Sequence, residues 1–221
     1  MIDKKYIFDF LRDLKSNNSK EWMDANRKRY HNARNRWLEE VGLILERLSK
    51  HNPYFAQFEA KHTVMRINNN RVFHPNKPIY KDYFAFSPTV KTDPIAHIHI
   101  AAGLSWSFLG GGLWAPEKSV LKQVREAIDY DGEALLEIIG QKGFQRIFGG
   151  LAEDPKRLKS SPKGYPRDHR HIDLLRYNNL TAQVTLTEEM VTSENFVDFV
   201  EEAYLELKPL NNYLEKALSV A

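Results

Sequence analysis

The sequence predicts an α+β fold, in which an antiparallel sheet from the middle of the chain packs with N-terminal and C-terminal helices. Apolar residues recur at helical spacing in the first fifty residues and again at the C-terminal end, whereas between Val64 and Trp114 they alternate at period two. The elements also run as helices, then strands, then helices, which is not the alternation that builds a parallel sheet. With 221 residues, 42% of them hydrophobic and 28% charged, the chain can bury one sizeable core, and a single domain over residues 1–221 is expected.

Each element has its own warrant. Ile7, Phe8, Leu11 and Leu14 trace one face of a helix over residues 4–15. Asn18 followed by Glu21 fits a capping box, after which Trp22, Tyr30, Ala33, Trp37, Val41, Ile44 and Leu48 form one stripe on a long helix ending near Pro53. The turn signals NNN, HPNKP and KTDP then separate short aromatic and β-branched runs. IAHIHIAA is the clearest strand, sending Ala96, Ile98 and Ile100 to one face and His97 and His99 to the other. Pro116 suits the first position of a helix carrying Val120, Leu121, Val124, Ala127 and Ile128, and DGEALLEIIG and FQRIF continue as shorter helices. GGLAEDPKRLKSSPKGYPRDHRH is a polar connection of a length that is usually functional or mobile. LTAQVTLT is one more strand, and Phe196, Val200, Ala203, Leu207, Leu210, Leu214 and Leu218 line a terminal helix that Pro209 is expected to kink or divide.

Composition excludes several chemistries. The chain has no cysteine, so it holds no disulfide, thiolate metal site or cysteine nucleophile. Charges interrupt the apolar residues of MIDKKYIFDFLRDLK, and no run approaches the roughly 20 apolar residues that span a bilayer. A cytoplasmic protein with no membrane partner is expected. The net charge of +3 is unevenly spread: residues 1–92 carry 18 Lys and Arg against 10 Asp and Glu, and residues 188–221 carry 2 against 8. Two solvated helix faces of different charge explain this, and a basic face centred on the first half is the functional alternative.

Among the motifs, SFLGGGLWAPE has the glycines of a phosphate loop but no Lys followed by Ser or Thr after Gly112, so close backbone packing in a sheet is preferred. His97 and His99 share a strand face, as a metal pair would, but no carboxylates can be placed to complete the site; a pair on a solvated face is preferred and no metal is expected. Ser, His and Asp are present without any nucleophile elbow. The stretch RINNNRVFHPNKPIYKDYFAF is more specific, because Arg66, Arg71, Lys77 and Lys81 are interleaved with Phe73, Tyr80, Tyr83, Phe84 and Phe86. Cations among rings can clamp a phosphate or carboxylate while an aromatic face stacks on the rest of the ligand. The plainer explanation makes Phe84 and Phe86 core residues and pairs the cations with Asp82 or leaves them in water.

KEWM, RIN through NKPIYK at Arg66 to Lys81, FLGGGLWAPE, FGGL, and PKGY followed by DH and LLR up to Arg176 together resemble the recurrent blocks of the bacterial and fungal domain of unknown function twenty-four sixty-one. That resemblance covers nearly the whole chain and implies a soluble single-domain protein with no assigned activity. The family's central pattern is matched at Arg66, Phe73, Lys77 and Tyr80, whereas Asn69, Asn70 and Val72 stand where the family tends to have Arg, Asp and Arg, and Arg71 lies one position before the last of these. The expected site is a basic, aromatic-lined pocket for an anionic small molecule, phosphorylated or carboxylated, built by Arg66, Lys77, Tyr80, Lys81 and His99 with Trp114 as a wall. Lys163, Tyr165, His169 and Arg176 join it from the PKGYPRDH loop and the residues after it. If the protein is an enzyme, His99 or His169 is the expected acid or base, since imidazole titrates near neutral pH unaided. The motifs leave any cofactor unspecified, and the alternative is a nucleic-acid-binding or accessory interaction module without catalysis.

Overall fold

The structure, a computed structural model, describes residues 2–90 and 93–219. Helices α1 (Lys5–Ser16), α2 (Lys20–Ala25), α3 (Arg27–Ser49) and α4 (Ala60–Thr63) precede strands β1 (Tyr83–Phe86), β2 (Ile95–Gly103) and β3 (Phe108–Leu113). Helices α5 (Lys118–Gly140), α6 (Lys142–Phe148) and α7 (Ile172–Leu175) follow, then β4 (Leu180–Thr185), α8 (Glu188–Thr192) and α9 (Phe196–Ser219). The strands form an antiparallel sheet of order β1-β2-β3-β4, with Tyr83 opposite Gly103 and Phe86 opposite Ile100 in the first pair, so the fold is α+β as the alternating centre and helical ends predict. Of the KTDP turn, Lys91 and Thr92 lie outside the described residues. By its internal contacts the chain divides into two compact units, one of residues 1–88, 99–109 and 185–202, the other of residues 89–98, 110–184 and 203–221.

In the first unit α1 buries Ile7, Phe8, Leu11 and Leu14, and α3 buries Ala33, Trp37, Val41, Ile44 and Leu48, the faces their spacing predicts. Phe10 touches the rings of Trp22 and Tyr30, and Tyr30 stacks on Phe84 at 6.4 Å, so the helices meet β1 through aromatic contacts. The expected single helix is broken at Asn26 (φ −107°, ψ 18°), whose side-chain amide donates to the Trp22 carbonyl at 2.9 Å and so competes with the backbone ladder. The cap of α2 is Ser19 rather than Asn18: the Ser19 hydroxyl accepts from the Trp22 N–H at 3.1 Å. Asn18 is occupied elsewhere, accepting from the Tyr80 N–H and donating to the Tyr80 carbonyl, both at 2.9 Å. Lys4 and Glu40 form a buried ion pair at 3.0 Å, and Lys4 also donates to the Ser193 carbonyl. Helix α8, capped by Thr187, belongs to no element that the pattern predicts, because five residues are too few to show a helical period.

In the second unit the three glycines of β3 mark close approach of neighbouring backbone. A Cβ on Gly110 would stand 2.5 Å from the Ala182 carbonyl, and one on Gly111 would stand 2.5 Å from the Ala96 carbonyl and 2.6 Å from the Leu207 side chain of α9. Gly112 has φ +107°, a conformation that L side chains rarely adopt. Helix α5 starts at Lys118 with Glu117 as its cap, two residues beyond the predicted start at Pro116, and is interrupted at Asp131 (φ −144°, ψ 60°). Pro209 lies inside α9, which continues past it to Ser219. Ile95, Leu113, Val124, Ile128, Leu135, Phe144, Leu175, Leu180, Leu207, Leu210 and Leu214 make this unit's core.

The long polar connection is tied down where it leaves α6. Burial opposes charge on the Asp154 carboxyl, but backbone N–H groups of Asn178, Asn179 and Lys156 and the Asn179 side chain outweigh that cost and hold it below the usual carboxylate range. Asn179 in turn accepts from the Ala115 N–H at 2.7 Å, fixing the turn after β3 in which Ala115 takes φ +46°.

Candidate functional site

The cationic stretch after Arg66 folds as an irregular hairpin. Asn69 N–H donates to the Ile79 carbonyl at 2.9 Å, Lys81 N–H donates to the Ile67 carbonyl at 2.8 Å, and Asn68 faces Tyr80 in an isolated bridge. The residues between, 70–77, are exposed, with Val72 and Phe73 among the most exposed large apolar side chains described. Tyr80 is buried, and its backbone is held by Asn18, so it anchors the hairpin.

Beside that anchor the cations gather. The Lys81 ammonium donates to the Arg66 carbonyl at 2.7 Å and lies 5.8 Å from the centre of the Tyr83 ring. Burial pushes the Lys81 ammonium below the usual lysine range, and the positive charges of Arg66 and Lys77 push it further down. Asp82 does not neutralise this group: its carboxylate pairs with Lys15 at 3.1 Å and accepts from the Ser105 hydroxyl. Among the described residues no carboxylate pairs with Arg66, Lys77 or Lys81.

An aromatic wall continues from Lys81. The Tyr83 and Trp106 rings meet edge to face at 4.9 Å; Trp106 lies 4.8 Å from Phe108 and 5.7 Å from His99, and His99 stacks on Phe108 at 5.3 Å. Trp106 is nonetheless 44% exposed. Trp106 and Phe108 are absent from the residues that sequence alone singles out. They reach the site because the β2–β3 hairpin folds Trp106 and Phe108 back beside His99, a pairing that no period along a single strand marks.

His99 Nε2 is buried with no hydrogen-bond partner among the described residues. Burial lowers its pKa from the usual 6.5 to about 4, so the ring is neutral at neutral pH. Between those two values the unfolded chain binds more protons at this position than the folded protein. Its contribution to stability therefore rises with pH and is lost as pH falls from 6.5 toward 4. Replacing His99 by Phe is expected to flatten the melting temperature across that window relative to wild type, as thermal unfolding at stepped pH would record; an unchanged acid slope would show that His99 is not the group responsible.

The remaining predicted residues lie in the second unit. Trp114 is 63% exposed. His169 Nδ1 accepts from the His171 N–H at 3.0 Å, which places its proton on Nε2, 2.7 Å from the Asp129 carboxylate. Both ring nitrogens of His169 are thus engaged, and acid or base work there would first require a hydrogen bond to break. Tyr165 meets the His169 ring edge-on at 6.0 Å, and burial followed by the charges of Asp129 and Glu126 raises its phenol above the usual range. Arg176 pairs with Asp173 at 3.3 Å, and Lys163 is exposed. The structure therefore gathers Arg66 and Lys77 around Lys81 beside the Tyr80 anchor, sets His99 two rings away through Tyr83 and Trp106, and places Tyr165 and His169 together elsewhere.

His97 and His99 differ in surroundings although they share a strand face. His97 is buried instead of solvated, with Nε2 2.9 Å from Asp93 and 3.5 Å from Glu215. No group of three or more His, Asp or Glu among the described residues is arranged to hold a metal ion. No helix among them is long and apolar enough to cross a membrane.

Compared with curated proteins and with solved structures, the chain matches none. The model of one protein family, described as a conserved hypothetical protein (DUF2461), matches residues 6–213 and so takes in both neighbourhoods described above. On that match over nearly its whole length, the chain belongs to the DUF2461 family.

Proposed function

We propose that the first unit binds an anionic small molecule, phosphorylated or carboxylated, through Lys81, Arg66 and Lys77. One observation carries this: the half-buried Lys81 ammonium, held on the Arg66 carbonyl at 2.7 Å and 5.8 Å from the Tyr83 ring centre, has no carboxylate partner among the described residues, and burial and the charges of Arg66 and Lys77 disfavour its charge. Such an arrangement costs free energy in the empty protein, and an anion placed among the three cations removes that cost. Lys81, whose ammonium already donates to the Arg66 carbonyl, is the positioned contact; Arg66 and Lys77 are exposed and add charge and hydrogen-bond donors.

Thermal unfolding in rising inorganic phosphate or citrate tests the proposal. A ligand that binds only the folded protein stabilises it by about 2.7 kcal/mol at a hundred times its Kd, roughly 5–10 °C for a chain of this size. Lys81→Gln and Lys77→Ala are expected to keep the ligand-free melting temperature within a few degrees and to lose that gain. No stabilisation of the wild type, or equal stabilisation of the variants, would overturn the assignment. The exposed cations of residues 66–81 favour one other reading, a nucleic-acid surface, and binding of an oligonucleotide that weakens log-linearly with salt would select it instead.

A further inference from the structure

We infer that the ligand of this site is a phosphate ester carrying a planar ring, of which a nucleoside monophosphate is the simplest form. The inference rests on the anion-binding proposal above and extends it from the charged end of the ligand to its other end. The cations account for a phosphate and leave Trp106 unexplained. That indole is joined to the cationic group through Tyr83, by one contact of 5.8 Å from the Lys81 ammonium to the Tyr83 ring and a second of 4.9 Å from that ring to Trp106. A free phosphate would touch only the first of these. A ligand that spans both must place something against an indole.

Trp106 is suited to a π-face. Tyr83 meets it at 75°, Phe108 at 50° and His99 at 45°, so three neighbouring rings hold the indole in one orientation while 44% of the residue stays open to solvent. A ring already held in place loses little conformational entropy when another ring stacks on it. Indole and purine faces stack with a gain that does not depend on matching hydrogen bonds, whereas a sugar phosphate offers the cations the same group and the indole no aromatic face. Asp82, next to Lys81 in the chain, is turned to Lys15 and the Ser105 hydroxyl instead of to these cations, although its charge, after burial, still helps to raise the Tyr83 phenol above the usual range.

Isothermal titration of the whole chain with adenosine monophosphate, ribose 5-phosphate and inorganic phosphate separates the two levels of this assignment. Adenosine monophosphate is expected to bind roughly tenfold or more tightly than ribose 5-phosphate, the usual worth of one stacked base. Trp106→Ala is expected to erase that margin and leave the affinity for ribose 5-phosphate unchanged, and Lys81→Gln to weaken all three ligands. Trp106→Phe keeps a ring against Tyr83 and Phe108 and is expected to keep part of the margin, so it decides the question even if Trp106→Ala fails to fold. Equal affinities for adenosine monophosphate and ribose 5-phosphate, a margin that survives in Trp106→Ala, or a margin left undiminished in Trp106→Phe, would overturn the ring-bearing ligand while the anion site stands. Absence of binding by all three would overturn both.

Discussion

Phe84→Ala is expected to destabilise the protein by about 3–5 kcal/mol, as truncation of large buried aromatics does. Phe84 is 2% exposed and stacks with Tyr30 of α3, so the truncation removes both the buried ring and the contact that joins β1 to the helices. Urea unfolding monitored by circular dichroism would measure the loss. Lys77 lies only seven positions earlier but is exposed on the hairpin, and its truncation is expected to leave the midpoint almost unmoved. A Lys77→Ala protein that unfolds as readily as Phe84→Ala would mean that Lys77 is part of the packing and would remove it from the anion site.

The second large effect is expected at Glu40. Glu40→Ala leaves the Lys4 ammonium, 7% exposed, without its carboxylate partner, and breaking a buried pair from one side costs about 3–5 kcal/mol. The Ser193 carbonyl and the Phe196 ring, 5.5 Å away, still contact Lys4 and place the loss at the lower end of that range. Removing both charges together, as Lys4→Met with Glu40→Leu, is expected to recover most of the stability, because two apolar side chains of similar volume need no partner. Chemical unfolding of Lys4→Met, Glu40→Leu and the double variant completes the cycle. If the double variant is no more stable than Glu40→Ala, the pair contributes through geometry that apolar packing cannot replace.

The contrast between these positions explains how far the sequence could be read. Helix faces and the core side of β2 follow from periodicity, so α1, α3, β2 and α9 were legible, as was the preference for packing glycines in β3. Local competition was not. Asn18 and Ser19 are both good caps, and only the position of Tyr80, far along the chain, decides that Ser19 does the capping. At the candidate site the cations were legible because Arg66, Lys77 and Lys81 lie within one short stretch. Trp106 was not, because it lies in the connection between β2 and β3 and its neighbours Tyr83 and His99, on β1 and β2, meet it only once the sheet has formed. The burial of His97 was also misread from alternation, since the face of β2 opposite Ile98 is covered as well.

The hold of Asn18 on Tyr80 restricts what position 18 can tolerate. The Asn18 carboxamide uses one of its N–H groups and its oxygen to meet the carbonyl and the N–H of a single residue, so it does for Tyr80 what a neighbouring strand would do. Aspartate has the same shape but no donor, and would set a carboxylate against the Tyr80 carbonyl. Serine is too short to reach both groups, and glutamine adds a methylene that moves the amide out of register. Position 18 thus holds the backbone on which Lys81 is mounted, and aspartate, serine and glutamine each lose part of that hold.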